Sequence, residues 1–414
     1  MNRSGLKLRA ALALLLLLAA GPARAQLALP LRNPLGTLGQ VTGAVGEVAG
    51  DALEPVRDLA RSARTLAQDR LQRLSRFVED NRARVELDDT GVPARRGEVL
   101  LLDPAGGDLD LVQGKGYGLI ERGTIGGLDI AYARLAVPQG RSLMQSLRDL
   151  RRLLPGREIT ADQLHFPSAS AKAATRAASN AAALPRGGTV GVIDGGIAGS
   201  DRLAGQRGFA AGAPRANDHA SAIASLLAGA GTSKLYNADV YGSDPAGGNA
   251  LAIAKALGWM REEGVPVVSI SLVGPQNVLL GKAIAAARAK GLIVVAAVGN
   301  DGAAAPPAFP ASYPGVVAVT GIDGKGRVLI EAGRALHLDY AAPGADMTAL
   351  VPGRGSVAVR GTSYAAPLAA ARIAARYPRL GSSVMALKAT DAEAVGVSKR
   401  TGRGVLCGAC RKGI

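Results

Sequence analysis

Residues 189–196 read TVGVIDGG, a short run of small and apolar residues closed by Asp194 and two glycines. A run this brief and this uniformly apolar suits a strand buried on both faces, as in a parallel sheet covered by helices. The same grammar repeats downstream. HASAIASLLAG (219–229), NALAIAKALGWMREEG (249–264) and VLLGKAIAAARAKG (278–291) read as helices, whereas VPVVSISL (265–272), LIVVAAVGN (292–300) and VVAVTGID (316–323) read as buried strands. Strands alternating with helices predict an α/β domain of three layers, α/β/α, with a mainly parallel sheet. In such sheets functional groups collect at the carboxyl ends of the strands.

Four polar residues stand at such ends. Asp194 closes the first strand, His219 opens a helix, Asn300 closes LIVVAAVGN, and Ser363 lies in RGTSYAAPLAAARIAARY (360–377), where an alanine-rich helix begins. Each has a plain structural reading. Asp194 can cap a turn, Asn300 can form one beside Gly302, His219 can be structural, and Ser363 can cap its helix. Together they supply what acyl transfer needs: a hydroxyl, a base for its proton, and a carboxylate to fix the base's tautomer. An Asn amide and a backbone N–H at a helix start can hold the developing oxyanion.

The order Asp, His, Asn, Ser and its flanking words resemble the subtilisin-like serine proteases (subtilases) over about residues 188–380. VGVIDGGI resembles the family's strand-Asp-[Ser/Thr]-Gly motif, with Gly195 in the hydroxyl place. DHASAIASLLAG resembles His-Gly-Thr-x-Val-Ala-Gly, with Ala220 and Ser221 in the Gly and Thr places. VVAAVGNDG resembles the Ala-Gly-Asn oxyanion segment with Val298 in the Ala place, FPASYPGVVAVTGID resembles the strand region after it, and GTSYAAP matches Gly-Thr-Ser-x-Ala-x-Pro. The resemblance implies a subtilisin-like fold and a secreted serine endopeptidase working through an acyl-enzyme. It implies Ser363 as nucleophile, His219 as general base and then acid, Asp194 as orienter, and Asn300 with the Ser363 N–H as the oxyanion hole. Ser271, Leu272 and Val273 fall where the family pairs with substrate backbone, and Ala297, Val298 and Gly299 in the neighbouring binding positions. The family usually has Gly where Val273 stands, so a narrowed cleft is expected. The departures at Gly195, Ala220 and Val273 leave an alternative: a catalytically weak subtilase-fold protein that binds polypeptide or a partner. No cofactor is expected, and although calcium sites are common in the family, no acidic loop here calls for one.

Ahead of this domain, the patterns EVLLLD, DLDLVQGKGY, YGLIERGTIGGLDIAYARLAVP, SLMQSLRDLRRLLPG and QLHF (between residues 98 and 166) give β-α-β-β-α-β, a small ferredoxin-like α+β domain. Secreted subtilases often carry a propeptide of this kind, so the resemblance implies an intramolecular chaperone and inhibitor. The expected organisation is a signal peptide at 1–25, a basic helical segment at 26–95, the α+β propeptide at 96–167, an Ala/Ser-rich linker with the processing region at 168–187, the catalytic domain at 188–380 and a basic tail at 381–414. Arg3, Lys7 and Arg9, the apolar run 11–20 and Ala23-Arg24-Ala25 carry the signal-peptide reading, with cleavage after Ala25. Export to periplasm, cell surface or medium follows, with no transmembrane segment in the mature chain. LARSARTLAQDRLQRLSRFVED (59–80) has helical apolar spacing and no evident chemistry.

The formal net charge is +16, yet basic residues are scattered and no zinc-finger spacing or aromatic-interleaved basic segment occurs. A solvated basic surface is expected, with no nucleic-acid partner; polypeptide substrates, and the propeptide as a partner, are what the resemblance implies. The two cysteines, Cys407 and Cys410, form CGAC. Such spacing serves redox, metal or disulfide roles; in an exported protein a local disulfide is expected.

Overall fold

The structure, a computed structural model, describes residues 54–168, 170–172, 186–380 and 382–411; the expected signal peptide and most of the linker lie outside these. The described residues begin with helix α1 (Glu54–Asp80), strands β1 (Val85–Leu87) and β2 (Pro93–Leu102), and helix α2 (Asp108–Gln113). Strands β3 (Gly118–Ile125) and β4 (Ile130–Ala136), helix α3 (Leu143–Leu153) and strand β5 (Ile159–Gln163) complete the first sheet. Two short strands, β6 (Phe166–Pro167) and β7 (Ser170–Lys172), precede β8 (Thr189–Asp194), β9 (Leu203–Gly208), helix α4 (Asp218–Gly229) and β10 (Lys234–Asp239). Then come α5 (Ala250–Glu262), β11 (Val267–Ile270), β12 (Leu272–Val273), α6 (Val278–Ala289), β13 (Ile293–Ala297), β14 (Val317–Ile322) and β15 (Tyr340–Pro343). The hairpin of β16 (Met347–Val351) and β17 (Gly355–Arg360) leads into α7 (Thr362–Leu380) and α8 (Ser383–Asp391).

The central sheet has seven strands in the order β15-β14-β13-β11-β8-β10-β9, and every pairing is parallel. The connection from β10 through α5 to β11 steps across β8, which places the topological switch at the carboxyl end of β8, where Asp194 stands. Side chains divide with strand periodicity. Val190, Val192, Val295 and Val319 pack with Ile223 and Leu227 of α4 and Leu368 and Ile373 of α7. Ile193, Val268, Ile270 and Val294 face the other way, onto Ile253 and Leu257 of α5 and Leu280 and Ile284 of α6. The alanines of α7 let it lie close to the sheet: a Cβ on Gly188, whose φ is +84°, would stand 2.3 Å from the Ala374 carbonyl oxygen.

The front sheet runs β5-β2-β4-β3, all antiparallel, with β1 paired to the start of β2. With α2 and α3 this is the βαββαβ arrangement. Both faces of its sheet are buried. Val99 and Leu101 pack on Leu143, Leu147 and Leu150 of α3. Leu100, Leu102, Ile130 and Tyr132 instead join the cluster around α5 and α6. Each such side chain contributes about 1.5–3 kcal/mol when fully buried, so the front sheet depends on the large domain to bury one of its two faces.

Three boundaries differ from the sequence expectation. The front sheet begins before residue 96, at Val85 and Pro93, because Arg95 is no turn residue: its guanidinium pairs with Asp244 at 2.8 Å on the large domain. The last strand is Ile159–Gln163 rather than QLHF. Its polar residues disguise it, being buried against helix starts of the large domain. Asn277, the N-cap of α6, donates through Nδ2 to Thr160 Oγ1, the Ala161 carbonyl and Gln163 Oε1. Asp162 Oδ1 accepts from the Leu251 N–H at the start of α5, where the helix dipole favours an anion; burial nevertheless pushes its carboxyl up to about 6. Finally, residues beyond 380 are not a separate tail. Buried Arg372 of α7 holds Glu393 by two hydrogen bonds, at 2.6 and 2.8 Å, and Leu406, Cys407 and Cys410 lie in the same core as α4 and α7. Cys407 and Cys410 are disulfide-bonded. Among the described residues no helix is long and apolar enough to cross a membrane.

Candidate active site

Asp194 is fully buried at the end of β8. Its Oδ1 accepts from the Gly195 N–H at 2.8 Å, and both carboxylate oxygens lie 3.0 Å from His219 Nδ1. A carboxylate only accepts, so Nδ1 carries the proton and Nε2 is left as an acceptor. Nε2 lies 3.0 Å from Ser363 Oγ. The imidazole is set by the start of α4: the N-cap Asn217 accepts from the His219 N–H at 2.7 Å. That cap explains Gly195, since a Cβ there would stand 2.7 Å from the Asn217 Cβ. Ser221, in the family's Thr place, donates to the Asn217 carbonyl at 2.7 Å and accepts from the Ala198 N–H.

Ser363 is the second residue of α7, within the turn whose N–H groups have no intrahelical acceptor. Beside it, Asn300 Oδ1 accepts from the Thr362 N–H at 2.9 Å, while Asn300 Nδ2 is buried without a hydrogen-bond partner. A buried amide with an unmade bond costs about 1–3 kcal/mol; an oxyanion forming at Ser363 would satisfy it. Gly299 has φ +90° and spends its backbone on support: its carbonyl accepts from Thr362 Oγ1 and the Gly333 N–H. Ala297 and Val298 are buried, the Val298 N–H being bonded to the Val319 carbonyl.

Sequence reasoning quoted Pro367 within the motif but gave it no role. Lacking an N–H, it cannot bond the Ser363 carbonyl four residues earlier. That carbonyl accepts instead from Ser271 Oγ at 2.7 Å, tying the helix carrying the hydroxyl to the strand beside it. A proline at the fifth position from Ser363, counting it as the first, was the signal available. The helix read at 59–80 with no evident chemistry is α1, whose Arg70 pairs with Asp301 at 3.2 Å and whose Leu66 abuts Gly302, in the loop that follows Asn300.

The chain's own segment 165–168 lies along this site. The His165 N–H donates to the Gly248 carbonyl, and Tyr241 OH donates to the His165 carbonyl, both at 2.8 Å. Burial, together with the charges of Asp194 and Asp239, pushes the Tyr241 phenol up, keeping it a neutral donor. Phe166 and Pro167 pair antiparallel with Val273 and Leu272, and the Ser168 N–H donates to the Ser271 carbonyl at 3.1 Å. Past this point β7 pairs antiparallel with β17, with Ser170 opposite Arg360, and β17 runs directly into Gly361, Thr362 and Ser363. Asp194, His219, Ser363, Asn300, Ser271, Leu272 and Val273 thus converge. Cys407 and Cys410 lie with the core under α4 and α7. Among the described residues no group of three or more His, Cys, Asp or Glu side chains is arranged to hold a metal ion.

Residues 186–402, more than half of the chain, match the Subtilase family. Subtilisin DY of Bacillus licheniformis is 33% identical over 156 residues, covering 36% of this chain and 57% of that relative. Alkaline elastase YaB of Bacillus sp. (strain YaB) is 34% identical over 136 residues, 32% of this chain and 36% of the relative. The chain therefore spans little more than half the length of the first of these, and less of the second. Among solved structures, fervidolysin from Fervidobacterium pennivorans, a keratinolytic enzyme related to subtilisin, superposes with TM-score 0.63 at 14% identity, over 77% of this chain and 61% of its own. The epidermin leader peptide processing serine protease of Staphylococcus aureus gives 0.61 at 17% identity, over 76% and 99%. At these identities the likeness is one of fold.

Proposed function

We propose that this chain, which belongs to the subtilase family, is an exported serine endopeptidase made as a self-inhibited precursor. The observation that carries the reading is the unbroken line Asp194–His219–Ser363, with contacts of 3.0 Å at both steps, beside the unpartnered Asn300 amide. Ser363 Oγ attacks the scissile carbonyl as its proton passes to His219 Nε2. Asp194 stabilises the imidazolium, and Asn300 Nδ2 with the Ser363 N–H holds the oxyanion. His219 then protonates the leaving amine, and water, deprotonated by the same imidazole, releases the acyl group. Ser271 and Val273 hold the substrate backbone as an added strand. All catalytic groups in this reading are side chains and backbone of the chain itself.

The front domain, in this proposal, is the propeptide. One face of its sheet is buried against α5 and α6 of the large domain, and that shared core supports a chaperone role. A parallel sheet of non-local contacts is slow to assemble and gains from such a template. The segment that follows the front domain, with β6 paired to β12, supports inhibition.

The test is hydrolysis of denatured casein by the purified, processed chain. We expect acid-soluble peptides to accumulate at neutral to alkaline pH, with internal bonds cleaved as read by mass spectrometry. Saturable casein binding with no peptide release would instead establish the binding-protein alternative.

A further inference from the structure

Val273 carries an inference about which bonds are cut. β12 forms one wall of the cleft and the segment 297–300 the wall facing it. A single carbon added to Gly299 would stand 3.2 Å from Val273 Cγ1 and 3.9 Å from its Cβ. The two walls therefore meet through the Val273 side chain. The register that sets Phe166 opposite Val273 sets Ser168 beside Ser271, two residues along, so Ser168 and Val273 share one face of the pairing. Ser168 is 95% buried, and its hydroxyl turns to the Ser271 carbonyl at 3.0 Å. By contrast, the position three residues earlier takes a ring: His165 is fully buried with its imidazole against Gly274, where a Cβ would stand 2.5 Å from it.

We propose that Val273 closes the pocket for the residue donating the scissile carbonyl, so that the enzyme cuts after small residues and its own processing bond is the one carried by the Ser168 carbonyl. This rests on the serine-endopeptidase reading. Two observations place the bond independently of pocket size. The strand on the near side is held by β12 up to Ser168, and the strand on the far side is held by β17 from Ser170. β17 leads into Gly361, Thr362 and Ser363, so these two pairings flank the helix start that carries the hydroxyl. The step balances as a hydrolysis. Ser363 Oγ bonds to the Ser168 carbonyl carbon, the C–N bond to Ala169 breaks, and the proton taken by His219 leaves on the Ala169 amine. Water then splits the ester, leaving a carboxylate on Ser168 and restoring the serine. The substrate class is a polypeptide with a small residue before the cut, favoured further by proline before it and by a ring three residues before it.

Four full-length chains test this: wild type, Ser168→Ala, Ser168→Phe, and Ser168→Phe combined with Val273→Gly. Wild type and Ser168→Ala should process at similar rates to a mature chain beginning at Ala169, as read by N-terminal sequencing. Ser168→Phe should process roughly 100-fold more slowly at that bond, and adding Val273→Gly should restore most of the rate. The restored double variant rules out misfolding as the cause of the slow step. On peptide substrates, Val273→Gly alone should gain activity on Phe over Ala before the cut. The proposal is overturned if wild type, active on casein, begins elsewhere, or if Ser168→Phe is cut after residue 168 at the wild-type rate. It also falls if Val273→Gly leaves the preference unchanged. A wild type that neither processes nor digests casein overturns the enzyme reading itself, a separate and recognisable result.

Discussion

Ser363→Ala is expected to leave the chain uncut and to lower the rate of self-cleavage by about a million-fold, the scale of loss known when the nucleophile is removed from subtilisin itself. The substitution removes one oxygen from a buried position. It keeps the helix start, and it keeps the backbone carbonyl that accepts from Ser271 Oγ. The precursor should therefore fold as wild type does, with unchanged circular dichroism and an unchanged thermal midpoint, and accumulate as a single uncut species on gels. Casein hydrolysis should fall to background. Normal processing of Ser363→Ala in purified form would remove Ser363 from the reaction.

Asn300→Ala should lower kcat by about 10²–10³ with little change in KM, because the lost donor acts on charge that exists only in the transition state. Asn300 also has a structural bond, accepting through Oδ1 from the Thr362 N–H at 2.9 Å. Asn300→Asp separates the two roles. It keeps that acceptor and replaces the donor with a negative charge, so its kcat should fall at least as far as that of the alanine variant. Near-normal turnover by Asn300→Asp would mean that Asn300 serves only to hold Thr362. Autoprocessing should slow in parallel, as seen by following the appearance of the mature chain over hours.

The α/β architecture was legible wherever a strand is apolar on both faces, as in TVGVID and LIVVAAVGN, and wherever a helix carries an apolar stripe. It was not legible where polar residues are buried for a reason located elsewhere in the chain. β10 contains Asn237 and Asp239, whose side chains hold Gly195, Gln206 and the backbone of 241–242. β5 is buried throughout, yet reads ITADQ, because its polar groups meet the starts of α5 and α6. The linker's composition suggests no structure from residue 168 onward, but Ser170–Lys172 pairs with β17; backbone hydrogen bonding to an existing edge needs no apolar side chains. The cysteine spacing could not show that the last residues join the core, which depends on Leu406 and on the Arg372–Glu393 pair.

The four polar residues were singled out from order and flanking words; Asp194, His219 and Ser363 lie in line at 3.0 Å contacts, and Asn300 stands beside them, bonded to the Thr362 N–H. What sequence could not supply was the coupling around them: the Pro367 gap filled by Ser271, the Asn217 cap that requires Gly195, and the Val273 side chain crossing to Gly299. These depend on which elements the fold places side by side. Two of them, at Gly195 and Val273, are also where this chain departs from the family's usual residues.

The central claim is that Ser363 Oγ, activated by His219, is a nucleophile. Its most direct test is exposure of the processed wild-type chain to a fluorophosphonate probe, followed by intact mass and peptide mapping. One adduct per chain, located on Ser363 and absent when the protein is unfolded beforehand, is the predicted result. A processed, folded chain that takes up no probe, or takes it up at another residue with Ser363 unmodified, would contradict the account.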